Sequence, residues 1–223
     1  RYLEEHDLAD GNLYDMHDGT GDLDNLGVQG VGDKSDLNQF LWMVLNGNPD
    51  ENWWRQNFDL ASYYSFRAIL EAIHHYDVDQ GKNYYFLNDH ERGKWQMLPW
   101  DLDLTWAETM FGEGNEPFRD RVLAIPAFQV GYQNELRSLR DLLFNQEQLF
   151  PMLDETAAII DTSSNGLSMV DADRLLWDYN PILVSWYVDN NRGGHGKYYE
   201  ASPNRGFTGM VQLMKEYVAR RIA

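Results

Sequence analysis

Two aromatic-rich segments, separated by a polar segment that contains glycine, constrain the fold of this chain most strongly. Residues 84–87 (YYFL) and 95–98 (WQML) are rich in the residue types that favour β-strands. The residues between them, NDHERGK, suit a hairpin loop of more than two residues. The pattern predicts an antiparallel β-hairpin, in which the second strand ends at the level where the first began.

Oxygen-bearing side chains flank this predicted hairpin on both sides. The loop that enters the first strand carries Asp77, Asp79 and Asn83, and the second strand is followed by Asp101 and Asp103. Because a hairpin returns the chain to its starting level, we expect Asp101 to lie near Asn83. Mg²⁺ prefers a few carboxylate and amide oxygens and completes its shell with water and phosphate. The order therefore predicts a Mg²⁺ or Mn²⁺ site at Asn83 and Asp101, with Asp103 assisting.

The same residues give the chain a resemblance to the spore coat protein H-like (CotH) kinase family, whose fold is an atypical variant of the protein-kinase fold. The specific matches are GKNYYFL (residues 81–87), with the acidic loop before it, and LPWDLDLTW (residues 98–106). The resemblance implies an α+β, mostly helical fold: the large lobe of an atypical protein kinase, with a small β-hairpin at the active site. Weaker similarities extend the resemblance over nearly the whole chain, at residues 11–16, 35–41, 58–73 and 215–221.

The resemblance implies a phosphotransferase that moves the γ-phosphate of ATP to Ser/Thr hydroxyls of a protein substrate. In the family pattern Asp101 resembles the metal-binding acid, Asn83 the metal-binding amide and Asp77 the catalytic acid that orients or deprotonates the acceptor hydroxyl. Kinase catalytic loops, H-R-D-x-x-x-x-N, place the acid and the amide about five positions apart. Asp77 precedes Asn83 by six positions and Asp79 precedes it by four. Asp79 therefore stays open as the alternative catalytic acid.

The nucleotide clamp of a kinase is not evident in the sequence. Kinases hold the α/β-phosphates with a lysine that pairs with a glutamate, both in an upstream small lobe. Neither a G-x-x-x-x-G-K-[ST] motif nor a glycine-rich loop between two predicted strands occurs. The chain opens at Arg1, where the family would already be leaving that lobe. We therefore expect a single CotH-like domain over residues 1–223, with the small lobe largely absent, which can be inactive in isolation.

Two other functions fit the same residues. A catalytically silent, kinase-like module for surface binding or adhesion would explain the missing clamp. A glycoside hydrolase would use paired carboxylates and tryptophan platforms, with the carboxylates about 5–9.5 Å apart across a sugar cleft. A structural Ca²⁺ site is a separate hypothesis, since oxygen-bearing residues alternate as in calcium loops, although Leu23 and Gln29 depart from the EF-hand pattern. The alternating residues are Asp18, Thr20, Asp22 and Asp24.

Composition limits the partners of the chain. The formal charge is −18, from 36 acidic and 18 basic residues, which disfavours binding to nucleic acids and anionic membranes. It suits cation binding or a basic protein substrate, and equally a solvated acidic surface. The absence of cysteine excludes thiolate metal sites and cysteine nucleophiles. No run of about 18 apolar residues predicts membrane insertion, and the frequent surface or secreted setting of the family implies an extracytoplasmic location.

Hydrophobic periodicity predicts helices on both sides of the hairpin. One helix is predicted from Asp59 to about His75, and Arg67 on it is a candidate partner for an acid near the site, with a surface salt bridge as the alternative. Its predicted buried face consists of Tyr63, Phe66, Ile69, Leu70 and Ile73. Residues 8–35, rich in glycine and aspartate, are predicted to form loops. Further helices are predicted at 36–45, 127–144, 146–160, 171–188 and 206–223, a mobile segment at 107–117, and a flexible break at 192–196.

Overall fold

The computed structural model describes residues 2–103, 105–106, 114–163, 166–177 and 207–222. These residues form an α+β structure, as predicted, with helices and a small antiparallel sheet. In chain order the elements are α1 (Tyr2–Glu5), β1 (Gly11–His17), β2 (Thr20–Asn25), α2 (Ser35–Asn46), α3 (Glu51–Asn57), α4 (Leu60–Ile73), β3 (Tyr84–Asp89), β4 (Lys94–Pro99), α5 (Arg119–Leu123), α6 (Pro126–Leu142), α7 (Gln146–Ile160), α8 (Met169–Trp177) and α9 (Phe207–Arg221).

The predicted hairpin is confirmed and forms one half of the sheet. Strands β3 and β4 pair in register from Tyr84 opposite Pro99 to Asp89 opposite Lys94. The Asp89 carboxylate closes the loop, because its Oδ1 accepts the backbone N–H groups of Glu91 (2.9 Å) and Arg92 (3.0 Å). This local hydrogen bonding is the usual reason for aspartate at the start of a turn.

The prediction of loops over residues 8–35 is wrong, because strands β1 and β2 occupy much of this region. The sheet has four strands in the order β2-β1-β3-β4. A tight turn at Asp18 and Gly19, with φ of 48° and 75°, joins β1 to β2 between His17 and its partner Thr20. Asp-Gly is a strong hairpin signal. The glycine and aspartate content of β2 obscured it, since these residues are uncommon in strands.

Alternation along the strands separates the two faces of the sheet. The inner face packs against α2, α3 and α4 in the main core, and the outer face carries a smaller apolar cluster with Leu3 of α1. The inner strand residues are Tyr14, Met16, Tyr84, Phe86, Trp95 and Met97, and the outer ones are Leu13, Tyr85, Leu87 and Leu98. Burial of β3 on both faces fixes the strand that leads out of the acidic loop.

Helix α4 connects this core to the acidic loop. It begins after Asp59, whose side chain accepts the Ser62 N–H at 3.2 Å, and it ends at Ile73. The prediction of a buried Ile69 is wrong, since this side chain is 41% exposed, whereas the other predicted face residues are buried. At about 100° per residue, Ile69 lies roughly 240° around the helix from Tyr63. The buried position near Tyr63 belongs instead to Arg67.

The chain divides into two compact units, Arg1–Leu139 and Arg140–Ala223. The first contains the whole sheet and α1 to α5, while α7 and α9 pack together in the second. The helices predicted at 127–144, 146–160 and 206–223 are confirmed as α6, α7 and α9. The helix predicted at 171–188 is confirmed as far as Trp177, and its remainder lies outside the described residues, as do 107–113 and 192–196. The single domain over residues 1–223 stays a prediction.

Among the described residues, none of the helices combines the length and the apolar character that crossing a bilayer requires.

Candidate active site

The hairpin brings the two ends of the acidic region to one end of the sheet. Because Tyr84 pairs with Pro99, Asn83 leaves the sheet beside Trp100 and Asp101. The backbone N–H of Asn83 donates to the Met16 carbonyl at 3.2 Å, which holds the loop against β1. Asn83 and Asp101 both adopt left-handed backbone conformations, with φ of 60° and 54°. The chain therefore turns out of the sheet direction at both positions.

The side chain of Asn83 is fixed by Asp77. Its Nδ2 donates to the Asp77 backbone carbonyl at 2.8 Å and to Asp77 Oδ2 at 2.9 Å. Both partner atoms are acceptors, so the amide nitrogen faces Asp77 and the Asn83 Oδ1 faces the other way. The contact leaves an amide oxygen in a fixed orientation beside the carboxylate.

A lysine that the sequence reasoning missed balances the charge of Asp77. The Lys82 Nζ lies 2.7 Å from Asp77 Oδ1, and Asp77 is only 8% exposed. A nearby cation offsets the unfavourable desolvation of a buried carboxylate. The signal in the sequence was a single basic residue within the acidic loop DVDQGKN, directly before Asn83.

Asp101 lies in a more negative and more open environment. Asp101 and Asp103 are both exposed. Partial desolvation raises the pKa of Asp101, and the charges of Asp103 and Asp77 raise it further, whereas His75 and Lys82 lower it. At Asp101, the negative charge of Asp103 and Asp77 therefore outweighs the positive charge of His75 and Lys82.

Asp79 has a different kind of partner. Its Oδ1 accepts the backbone N–H of Asn115 at 2.7 Å, and the preceding residue, Gly114, donates its N–H to the Tyr76 carbonyl at 3.1 Å. The candidate Arg67 is 2% exposed and donates from Nη1 to the Gly114 carbonyl at 2.6 Å. Its second nitrogen, Nη2, lies 3.4 Å from Glu71 on the same helix. The surface salt bridge considered for Arg67 is therefore wrong.

Glu116 was also missed, and it anchors the chain that follows Asn115. Its buried carboxylate accepts the Tyr63 hydroxyl at 2.5 Å and the backbone N–H groups of Phe118 (2.7 Å) and Arg119 (3.1 Å). Burial raises the pKa of Glu116, although the Tyr63 hydrogen bond and the charge of Arg67 lower it. A single glutamate before proline carries no distinctive sequence signal, so only the fold reveals this contact.

An aromatic surface adjoins the acidic residues. The rings of Trp100 and Tyr85 lie 4.8 Å apart between centroids, and Trp100 is 44% exposed. Trp100 directly precedes Asp101 in the chain. The exposed indole is in tilted contact with the Tyr85 ring, with 50° between the two planes, and is the chain neighbour of Asp101.

The donor atoms present suit a divalent cation that is shared with phosphate. In the part of the chain that the structure describes, no three His, Cys, Asp or Glu side chains group as a metal site. Mg²⁺ commonly takes only one or two protein carboxylates and completes its shell with phosphate and water. The Oδ1 of Asn83 and the exposed carboxylate of Asp101 fit this requirement. For the calcium hypothesis, the structure shows that one of the alternating residues, Asp22, already pairs with side chains of the protein. Its carboxylate lies 2.6 Å from Lys34 Nζ and 3.2 Å from His17 Nε2.

The acidic loop, the asparagine held by an acid and the D-x-D segment all lie at the same end of the sheet. The family model described as CotH kinase protein matches residues 5–205, which is most of the chain. The chain therefore belongs to the CotH kinase family, and the resemblance seen in the sequence is confirmed. None of the curated proteins matches it. The family supports a kinase-like, transferase function.

Proposed function

We propose that this chain carries the catalytic and metal-binding residues of a Mg²⁺- or Mn²⁺-dependent phosphotransferase, which moves the γ-phosphate of ATP to Ser/Thr hydroxyls of a protein. One observation carries the proposal. The β3–β4 register brings Asn83 and Asp101 out at one end of the sheet, where the Asn83 amide is bonded to Asp77. Membership of the CotH kinase family supports the same reaction class.

Asn83 and Asp101 would hold the divalent cation, with Asp103 assisting. The Asn83 amide nitrogen is engaged by Asp77, which presents Oδ1 as the ligand atom. Asp101 is exposed, and its pKa is raised by partial desolvation and by the charges of Asp103 and Asp77, whose negative charge a cation would relieve. When bound, the cation neutralises charge on the phosphate oxygens.

Asp77 would accept the proton of the acceptor hydroxyl. As the hydroxyl oxygen bonds to the γ-phosphorus, the bond from that phosphorus to the β–γ bridging oxygen breaks, the proton passes to Asp77, and ADP leaves. An ionised carboxylate offers about four lone-pair sites. The contacts of Asp77 with Asn83 and Lys82 use only part of this capacity.

The remaining parts of the substrates can be assigned by their chemistry. The face of Trp100, supported by Tyr85, would stack on the adenine base of ATP, since aromatic side chains stack on every kind of base. The acceptor would be a protein segment with basic residues near its Ser or Thr, because the chain has a formal charge of −18.

The test is transfer of labelled γ-phosphate from ATP, with Mn²⁺, by the protein. We expect Asp101→Ala to lower the rate about 1,000-fold, since metal stabilisation is worth several kcal/mol and about 1.36 kcal/mol is tenfold. Glu91→Gln, an exposed acid in the β3–β4 loop, is the matched control and should keep the wild-type rate. Equal rates for wild type and Asp101→Ala would overturn the proposal and favour the silent binding module.

A further inference from the structure

We propose that Asp79 and Arg67 are positioning residues that hold the chain on both sides of Asp77, and that Asp77 alone is the proton acceptor. This inference rests on the proposed function and deepens it, because the spacing of the acidic loop left the two acids as alternatives. The decision comes from what each carboxylate contacts.

The peptide at Gly114 and Asn115 binds the acidic loop at two points. The Gly114 N–H donates to the Tyr76 carbonyl at 3.1 Å, and the Asn115 N–H donates to Asp79 Oδ1 at 2.7 Å. Tyr76 and Asp79 lie on either side of Asp77 in the chain. Two successive backbone N–H groups therefore hold both flanks of the proposed proton acceptor.

Arg67 fixes the position of this peptide from inside the core. Its Nη1 donates to the Gly114 carbonyl at 2.6 Å from a side chain that is 2% exposed. The planar guanidinium is kept in place by Glu71, one turn along α4 at 3.4 Å. Gly114 has φ of +66°, and a Cβ there would lie 2.8 Å from the Tyr76 ring. The close approach of backbone to ring therefore requires glycine.

The contacts of the two acids call for different chemistry. Asp79 receives a backbone N–H, for which any acceptor oxygen suffices, including the oxygen of an amide. Asp77 contacts Lys82 and Asn83, and a proton acceptor needs the basicity of a carboxylate. Replacing aspartate by asparagine keeps the shape and one acceptor oxygen but removes the basicity. The substitution therefore separates a positioning role from proton transfer.

The experiment compares Asp77→Asn, Asp79→Asn and Asp79→Ala in the full-length protein, with labelled ATP and Mn²⁺. Asp77→Asn should lower kcat about 100-fold or more, the usual contribution of a general base. Asp79→Asn should stay within about threefold of wild type, and Asp79→Ala should lower kcat about tenfold, since a small displacement of a catalytic group has a large effect on rate. The KM for ATP should change little in both Asp79 variants, because the nucleotide contacts are kept.

A second measurement reports on the hydrogen bond between the Asn115 N–H and Asp79 without relying on catalysis. Hydrogen exchange at the Asn115 amide, followed by NMR, should be as slow in Asp79→Asn as in wild type and about tenfold faster in Asp79→Ala. An Asp79→Asn variant as inactive as Asp77→Asn would overturn the inference while leaving the proposed phosphotransferase intact. Unchanged Asn115 exchange in Asp79→Ala would also overturn it. If phosphate transfer is absent from every form, the proposed function fails, and the exchange data still decide the positioning role.

Discussion

The two acidic regions of the site differ in how their charge is balanced. The enclosed arm, residues 75–83, holds Asp77 with one carboxylate oxygen near Lys82 and the other bonded to Asn83. The open arm, Asp101 to Asp103, is exposed, and partial desolvation together with the charges of Asp103 and Asp77 raises the pKa of Asp101. One arm is compensated by the protein itself, whereas the other carries excess negative charge.

The difference suits the two arms to different tasks in the proposed function: the enclosed arm orients polar groups, and the open arm binds a cation. The enclosed arm has its polar groups fixed before any substrate arrives, which is the arrangement that lowers the reorganisation needed during reaction. In the proposed function, a bound cation would balance the charge of the open arm. The contrast predicts that substitutions behind the enclosed arm act on stability and that substitutions at the junction of the two arms act on cation affinity.

The largest effect on stability should come from removing the buried charge behind the enclosed arm. Arg67→Met would remove the donor to the Gly114 carbonyl and the cation beside Glu71, and should lower the free energy of unfolding by about 3 kcal/mol. Arg55→Met is the matched control, since Arg55 also pairs with a glutamate one turn away, but on the surface. It should lower stability by about 1 kcal/mol or less, even with its contact over Phe128. Equal losses in chemical denaturation would contradict the buried role of Arg67.

A smaller effect should follow from a methyl group in the enclosed arm. Gly81 has φ of +74°, and a Cβ there would lie 3.0 Å from the Gly19 Cα in the β1–β2 turn. Gly93 in the β3–β4 loop has φ of +66° with open space around it. Gly93→Ala should therefore lower the free energy of unfolding by about 1 kcal/mol from backbone conformation alone. Gly81→Ala should lower it by about 1 kcal/mol more, because the added methyl group is also crowded. Thermal unfolding of both variants measures the difference, and a larger loss at Gly93 would refute it.

The smallest effect should be a pH dependence of stability at Glu116, which anchors the chain that follows Asn115. Burial raises the pKa of Glu116, although the Tyr63 hydrogen bond and the charge of Arg67 lower it, so the fold favours the protonated form. The stability it contributes is full below the pKa of an unfolded glutamate and is lost as pH rises through the raised value. Relative to Glu116→Gln, wild type should therefore be more stable near pH 4 than near pH 7. Denaturant unfolding of both proteins across about pH 4 to 7, a range that begins near the usual glutamate pKa, measures this difference in stability. If the stabilities of wild type and Glu116→Gln change in parallel with pH, Glu116 does not have a raised pKa.

The sequence predicted the part of the site that depends on local pattern. Aromatic strands around a polar loop identify a hairpin, and the hairpin alone brings Asn83 and Asp101 to one end of the sheet. The contacts of Arg67 and Glu116 depend on chain segments about 50 residues apart, for which a single sequence carries no signal. The β1–β2 hairpin was missed for another reason, because its Asp-Gly turn was read as loop composition rather than as a turn between strands.

The most direct test of the account is a double-mutant cycle on Mn²⁺ affinity in the presence of ATP, measured by electron paramagnetic resonance titration. Asn83→Ala, Asp101→Ala and the double variant report whether the two side chains serve one ion. If they share a cation, the losses should be coupled by about 1 kcal/mol or more. Losses that add to within about 0.5 kcal/mol, the behaviour of independent sites, would contradict a cation shared between Asn83 and Asp101.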